Sequence, residues 1–259
     1  MRKKVLYVFF IIMVLTAIVC KLLSVFSVDF YKEDLDEDNE LKVTVEKDNN
    51  EKVQDNQKPL SEKTAYLTFD DGPSKNTYKV LEILDKHDIK ATFFVIGTNI
   101  TPEYEELLKS MEEDGHVIGI HTFSHKYNYI YTSASNYIED FNKAYQQLNG
   151  ILEKPPAIYR FPGGSCNCYV GPFKSEIVRT LKSRGFTYYD WHVSGEDSVG
   201  NPSSDMIIQN VLKDVDGFGN PVILLHDSSI NKNTVDALER IILGLKDKGY
   251  GFGVLENNL

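Results

Sequence analysis

A parallel βα barrel is the fold class this sequence predicts, and three observations predict it. Seven short apolar runs recur along residues 64–255. Amphipathic stretches with helical spacing separate them, which is the pattern of βα units feeding a parallel sheet. The runs are apolar on both faces, as strands buried on both sides must be. A doubly wound open sheet is the alternative. However, the first run is followed by "TFDDGPS", which lacks the Gly-rich phosphate fingerprint of nucleotide-binding versions.

The strands are expected at "TAYLTF" (64–69), "ATFFVI" (91–96), "HVIGI" (116–120), "AIYRF" (157–161), "FTYYDW" (186–191), "PVILLH" (221–226) and "GFGVL" (251–255). Helices are expected near 77–88, where Val80, Leu81 and Leu84 share a face, and near 102–114, 134–153, 173–184, 203–215 and 233–248. The whole of 63–259 thus reads as one domain, a distorted (β/α) barrel with about seven parallel strands.

Two segments precede it. Residues 1–28 hold Arg2, Lys3, Lys4 and Lys21 and no acid, around an apolar run from Val5 to Val28 that Lys21 alone interrupts. This is long enough to span a bilayer if Lys21 reaches toward the outer face, and the leading cations favour a cytoplasmic tip. A cleaved signal peptide competes with that reading, but no clean small-x-small site follows. Residues 29–62 are charged and polar, with few large apolar groups, and read as a flexible acidic linker. The expectation is a single-pass protein of the cell membrane with its folded domain outside. The formal charge is −10, and no basic stripe stands out, so no nucleic-acid groove is expected. A monomer is expected. Three cysteines, Cys20, Cys166 and Cys168, make no disulfide framework, and the CxC pair leaves its state open.

In a βα barrel the active site lies at the C-terminal ends of the strands. There the sequence places Asp70 and Asp71 after the first strand, His121 and His125 of "HTFSH" after the third, and Arg160 of "YRFPGGS" after the fourth. Asp190 and Trp191 end the fifth, and His226 ends the sixth. Each piece alone has an ordinary account: a DDGP turn, a helical His pair, a core histidine, a structural ion pair. Their arrival at one rim is what points to chemistry. Two imidazoles and one carboxylate form a common zinc set with an open position. One aspartate completes the set and the other stays free as a base. Adjacent residues leave an extended chain on opposite sides, so the two carboxylates are expected to serve different tasks. His87, His116 and His192 lack such support and read as structural or surface residues.

Taken in order, "TFDDG", "HTFSH", "RFPGG", "DW" and "LLH" resemble the five motifs of the polysaccharide deacetylases, carbohydrate esterase family 4. The surroundings "RFPGGS" and "YYDWHVSGEDS" are most similar to peptidoglycan N-acetylglucosamine deacetylases of Gram-positive bacteria. The resemblance implies a NodB-type domain and a hydrolase acting on the linear amide of N-acetylglucosamine in a cell-wall polysaccharide. It uses one divalent metal, zinc or else cobalt or nickel. Chitin-type oligomers, another poly-N-acetylglucosamine and acetylxylan are alternative substrates, and a non-catalytic carbohydrate-binding envelope protein is the alternative class. The resemblance also assigns roles. Asp70 is the catalytic base; Asp71, His121 and His125 are metal ligands. Arg160 holds the base, His226 is the catalytic acid and Asp190 is its partner. Trp191 and Leu224 are walls of the acetyl pocket. Gly163 stands where many relatives carry an aromatic, so that its backbone alone would help bind the oxyanion.

Overall fold

The computed structural model of the chain describes residues 63–257. The expected anchor (1–28) and the acidic linker (29–62) lie outside them. Among the described residues no helix is long and apolar enough to cross a membrane.

Eight strands and seven α-helices follow one another as β1 (Lys63–Gly72), α1 (Lys75–Lys86), β2 (Thr92–Val95), α2 (Pro102–Glu113), β3 (Val117–Ile120), α3 (Tyr127–Ile130), α4 (Ala134–Ile151), β4 (Ile158–Tyr159), α5 (Lys174–Lys182), β5 (Thr187–Tyr188), β6 (Val193–Ser194), α6 (Ser204–Asp214), β7 (Val222–His226), α7 (Lys232–Asp247) and β8 (Tyr250–Gly253). Seven strands form one sheet in the order β5-β4-β3-β2-β1-β7-β6, and β8 pairs with β1 off that path. Every pairing is parallel. The sheet is a half-barrel with its ends at β5 and β6, and it agrees with the expected distorted (β/α) barrel. The strand count differs at one place. The expected run 186–191 ends early as β5, and a separate β6 follows on the far side of Trp191.

β1 is the axis of the sheet because it is long enough to serve three neighbours. Its first half, Lys63–Tyr66, pairs with β8; Thr68–Gly72 pairs with β2; Tyr66–Asp70 pairs with β7. Its Leu67 and Phe69 are fully buried, and Phe69 stacks on Phe93 with ring centroids 5.1 Å apart. β2 and β7 are buried along their whole length, as strands covered on both faces should be. Each of the six longer helices lays one apolar stripe on this sheet: Val80 and Leu84 of α1, Leu108 and Met111 of α2, Phe141 and Leu148 of α4, Ile177 and Leu181 of α5, Ile207 and Val211 of α6, Ile241 and Leu245 of α7.

Local signals set the start of α1. The Ser74 hydroxyl accepts from Asn76 N at 3.0 Å, and Thr77 Oγ1 accepts from Ser74 N at 2.8 Å, a reciprocal cap. Gly72, just before it, has no room for a side chain: a Cβ there would stand 2.5 Å from Asp227 Oδ2. The β1–α1 corner is therefore packed against the residue that follows His226.

Candidate active site

The doublet Asp70-Asp71 sits where β1 stops being regular. Asp70 is in register with Phe94 of β2 and with His226 of β7, but the β1–β2 register slips between Asp70 and Gly72. Asp71 takes up the slip with a φ of 70°, the left-handed region that aspartate tolerates better than most residues. Asn99 Nδ2 donates to the Asp71 carbonyl at 2.9 Å and holds the bulge. This corrects one expectation. The carboxylates do not leave an extended chain on opposite sides, because the bulge turns both into one cleft. His121 Nε2 is 3.7 Å from Asp70 Oδ2 and 3.5 Å from Asp71 Oδ1.

"HTFSH" is a tight loop after β3. Thr122 and His125 both have positive φ, at 66° and 53°. Buried Asp140 on α4 anchors the loop, its Oδ1 accepting from Phe123 N and Ser124 N at 2.6 and 2.9 Å. The loop returns His125 to within 3.4 Å of Asp71 Oδ1.

One ligand atom each from Asp71, His121 and His125 lies within 4.8 Å of the others. Three features fit this set to a divalent cation. Asp71 Oδ1 is buried with no hydrogen-bond partner. His121 Nδ1 lies 3.0 Å from the Arg160 carbonyl, which fixes the proton on Nδ1 and leaves a lone pair on Nε2. Burial first, and then the neighbouring His121, pull His125 down to about 4, so that it is neutral at neutral pH. A neutral imidazole cannot compensate the Asp71 charge but can ligate.

Asp70 has a different environment. Fully buried Arg160 donates from Nη1 to Asp70 Oδ1 at 2.9 Å and to Thr68 Oγ1 at 2.7 Å. Its Nε and Nη2 reach the carbonyls of Tyr189 and Asp190 at 2.9 and 3.2 Å. Its guanidinium lies over Phe94, 4.3 Å from the ring centroid. A guanidinium with its donors satisfied in this way holds the Asp70 carboxylate in place.

His226 ends β7. Burial opposes its charged form, but the hydrogen bond and charge of Asp197, with smaller contributions from Asp70 and Asp71, raise it to about 9. Asp197 Oδ1 is 2.8 Å from His226 Nδ1, and its Oδ2 accepts from His226 N and Thr234 Oγ1, both at 2.7 Å. The expected partner, Asp190, is not there. Its Oδ1 accepts from Ser165 N at 2.8 Å and its Oδ2 accepts from the Ser165 hydroxyl. The chain bend between β5 and β6 turns Asp190 toward the 163–165 turn, whereas the loop after β6 brings Asp197 beside the end of β7. Sequence reasoning missed Asp197. The only signal was its place in "GEDS", a polar stretch just after a strand. It also missed Asp227, whose buried carboxyl accepts from Thr77 Oγ1 and is pushed by burial up to about 7.

Asp70, Asp71, His121, His125, Gly163, Trp191, Leu224 and His226 line one cleft of about 310 Å³, joined by Tyr127, Ser194, Glu196, Ser198 and Val199. The size is that of a small-ligand site. Arg160 lies beneath Asp70, and Asp190 braces the neighbouring turn. His116 and His192 have structural roles, their Nδ1 atoms accepting from Ala91 N and Val222 N at 3.1 and 3.0 Å. Cys166 and Cys168 are exposed free thiols.

A carboxylate fixed by a guanidinium on one side of a ligand set and a protonated imidazole on the other are the parts a hydrolase needs to take one proton and give another. Residues 57–189 match the family described as polysaccharide deacetylase. A peptidoglycan-N-acetylglucosamine deacetylase of Bacillus cereus is 35% identical over 195 residues, 73% of this chain and 68% of that one. Among solved structures, the catalytic domain of a peptidoglycan N-acetylglucosamine deacetylase from Eubacterium rectale superposes with a TM-score of 0.70 at 37% identity, covering 79% of this chain and 93% of that one. The polysaccharide deacetylase Bc1974 from Bacillus cereus gives a TM-score of 0.67 at 34% identity, over 75% and 92%. This chain belongs to the polysaccharide deacetylase family. It is a hydrolase acting on amides, of a family that is metal-dependent in general.

Proposed function

We propose that this chain removes acetyl groups from N-acetylglucosamine units of a cell-envelope polysaccharide, peptidoglycan first among them, and releases acetate. The observation that carries the reading is the placement of Asp70 and His226 at the rim of one cleft with Asp71, His121 and His125 beside them. A divalent ion held by those three, zinc by the donor types, supplies Lewis acidity and makes water easier to deprotonate. Cobalt or nickel would suit the same donors.

The chain's own groups account for the protons. Asp70, held in place by Arg160, takes a proton from the attacking water. Attack on the acetamide carbonyl makes a tetrahedral centre whose oxygen carries negative charge. An amide nitrogen is a poor leaving group, so the C–N bond breaks only as the nitrogen is protonated. His226, kept charged by Asp197, gives that proton. Acetate and a free glucosamine amine leave. Trp191 and Leu224 offer an apolar wall for the acetyl methyl.

The test is acetate release by the full chain, loaded with zinc, across peptidoglycan, chitin-type oligomers and acetylated xylan. Release from peptidoglycan alone supports the reading. Release from the others alone reassigns the polymer, and binding without release by loaded protein defeats the catalytic role.

By sequence, residues 5–28 would hold the enzyme in the cell membrane with the domain outside, acting on glycan close to the surface. The mass of the native chain decides this: a mature protein beginning after residue 20 and found in the medium would mean cleavage and secretion.

A further inference from the structure

The turn after β4 carries a glycine in a place that another residue fills. Gly163 has a φ of 74°, and a Cβ there would lie 2.4 Å from the Tyr127 hydroxyl oxygen. Tyr127 thus occupies the space that a side chain at 163 would take. It opens α3, two residues after His125, so it comes from a different part of the chain. Three rings clamp it edge-on: His125 at 5.6 Å, Tyr131 at 5.3 Å and Tyr169 at 5.5 Å between centroids. Tyr131 in turn donates from its hydroxyl to the Pro162 carbonyl at 2.8 Å, and Asn167 Nδ2 donates to the carbonyls of Pro162 and Gly164 at 3.0 and 2.6 Å. The ring and the turn are fixed against each other before any substrate arrives.

Two donors in this arrangement are unused. Among the described residues, neither the Tyr127 hydroxyl nor the Gly163 N–H donates to a protein acceptor. Both residues line the cleft that holds Asp70, Asp71 and His226. Fixed donors with no partner in the resting protein suit charge that exists only during the reaction.

We infer that the Tyr127 hydroxyl is a second donor for the oxyanion of the tetrahedral intermediate, beside the Gly163 N–H that the family resemblance already assigns to it. The inference rests on the deacetylase reading above. Tyr127 is then a catalytic residue supplied from the loop that also carries His125. Gly163 is required because a side chain there would displace the hydroxyl.

Tyr127→Phe removes one oxygen and keeps the three ring contacts. It should lower kcat on the order of 100-fold with KM and metal content nearly unchanged, the cost of losing one oxyanion donor. Gly163→Ala should lower kcat similarly by pushing the hydroxyl away. A phosphonamidate of glucosamine, a tetrahedral mimic, should bind Tyr127→Phe more weakly by a comparable factor in calorimetry. Unchanged kcat in Tyr127→Phe overturns the inference. So does a raised KM at unchanged kcat, which would place the hydroxyl on the sugar in the ground state. If the wild type releases no acetate from any glycan, the deacetylase reading fails and takes the inference with it; if it does and Tyr127→Phe matches it, only the inference fails.

Discussion

Replacing Asp197 with asparagine isolates what keeps His226 charged. Asp197 is 5% exposed and spends both carboxylate oxygens on His226 and Thr234. Asparagine keeps one oxygen, which can still accept from His226 N and Thr234. It then presents an N–H to His226 Nδ1, and a protonated Nδ1 cannot accept it. The imidazolium loses its partner while burial continues to oppose its charge. In the native protein the group rises from its ordinary 6.5 to about 9. At about 1.36 kcal/mol per pKa unit, that difference is worth about 3 kcal/mol. The sign follows from linkage. A histidine raised on folding stabilises fully below pH 6.5, and the contribution fades as pH rises through 9. Denaturant unfolding of the chelator-treated chain at pH 6 and pH 9.5 reads it directly. The wild type should lose about 3 kcal/mol more than Asp197→Asn between those two pH values, and the imidazole resonance of His226 should titrate far lower in the variant. A bound divalent cation adds positive charge nearby, so the alkaline limb of turnover should lie below the pKa measured without metal. Equal pH slopes in the two proteins, or a wild-type His226 that titrates below 7, would refute the reasoning.

The doublet can be separated by two further variants. Asp70→Asn should cut turnover by roughly 10²–10⁴-fold, the usual worth of a general base, while metal content measured by atomic emission stays at the wild-type level. His121→Ala should lose bound metal and turnover together; unchanged metal stoichiometry would remove His121 from the ligand set.

Much of this fold was legible because its strands are short, apolar and separated by helices with clear stripes. The expected helix near 233–248 is α7 at Lys232–Asp247, and the expected strand 221–226 is β7 at Val222–His226. The miss at 186–191 has a physical cause. "FTYYDW" is mostly aromatic, with no glycine or proline to show that the chain bends at Tyr189–His192. The ligand-type residues were legible because they stand at strand ends, where the barrel gathers them. What lay beyond reading was pairing. His226 and Asp197 are 29 positions apart, and nothing local distinguishes Asp197 from Asp190 as the partner. The loop path after β6 makes that choice. Likewise, nothing in "DDG" shows that Asp71 adopts a positive φ.

That conformation answers why two carboxylates stand side by side. Folding gains nothing from placing like charges on neighbours, and each has to be offset separately. Asp70 is offset by Arg160, which is itself fully buried and donates to three other oxygens. Removing either partner would leave the other charge buried and alone, at a cost of about 3–5 kcal/mol. Asp197 is offset by the imidazolium of His226. Asp71 has no such partner, since its nearest imidazole, His125, is held neutral and its Oδ1 accepts no hydrogen bond. Had the strand stayed regular, Asp71 would have turned away from the cleft and its charge could have been solvated. The bulge brings it back in, next to two lone-pair donors, where the His226 imidazolium, itself paired with Asp197, offsets its charge only in small part. A half-buried carboxylate whose inner oxygen has no partner is a cost to the empty protein that a divalent ion removes. The same geometry that gives Asp70 a fixed partner therefore leaves Asp71 for a ligand, and that difference lets two identical, adjacent side chains do different chemistry.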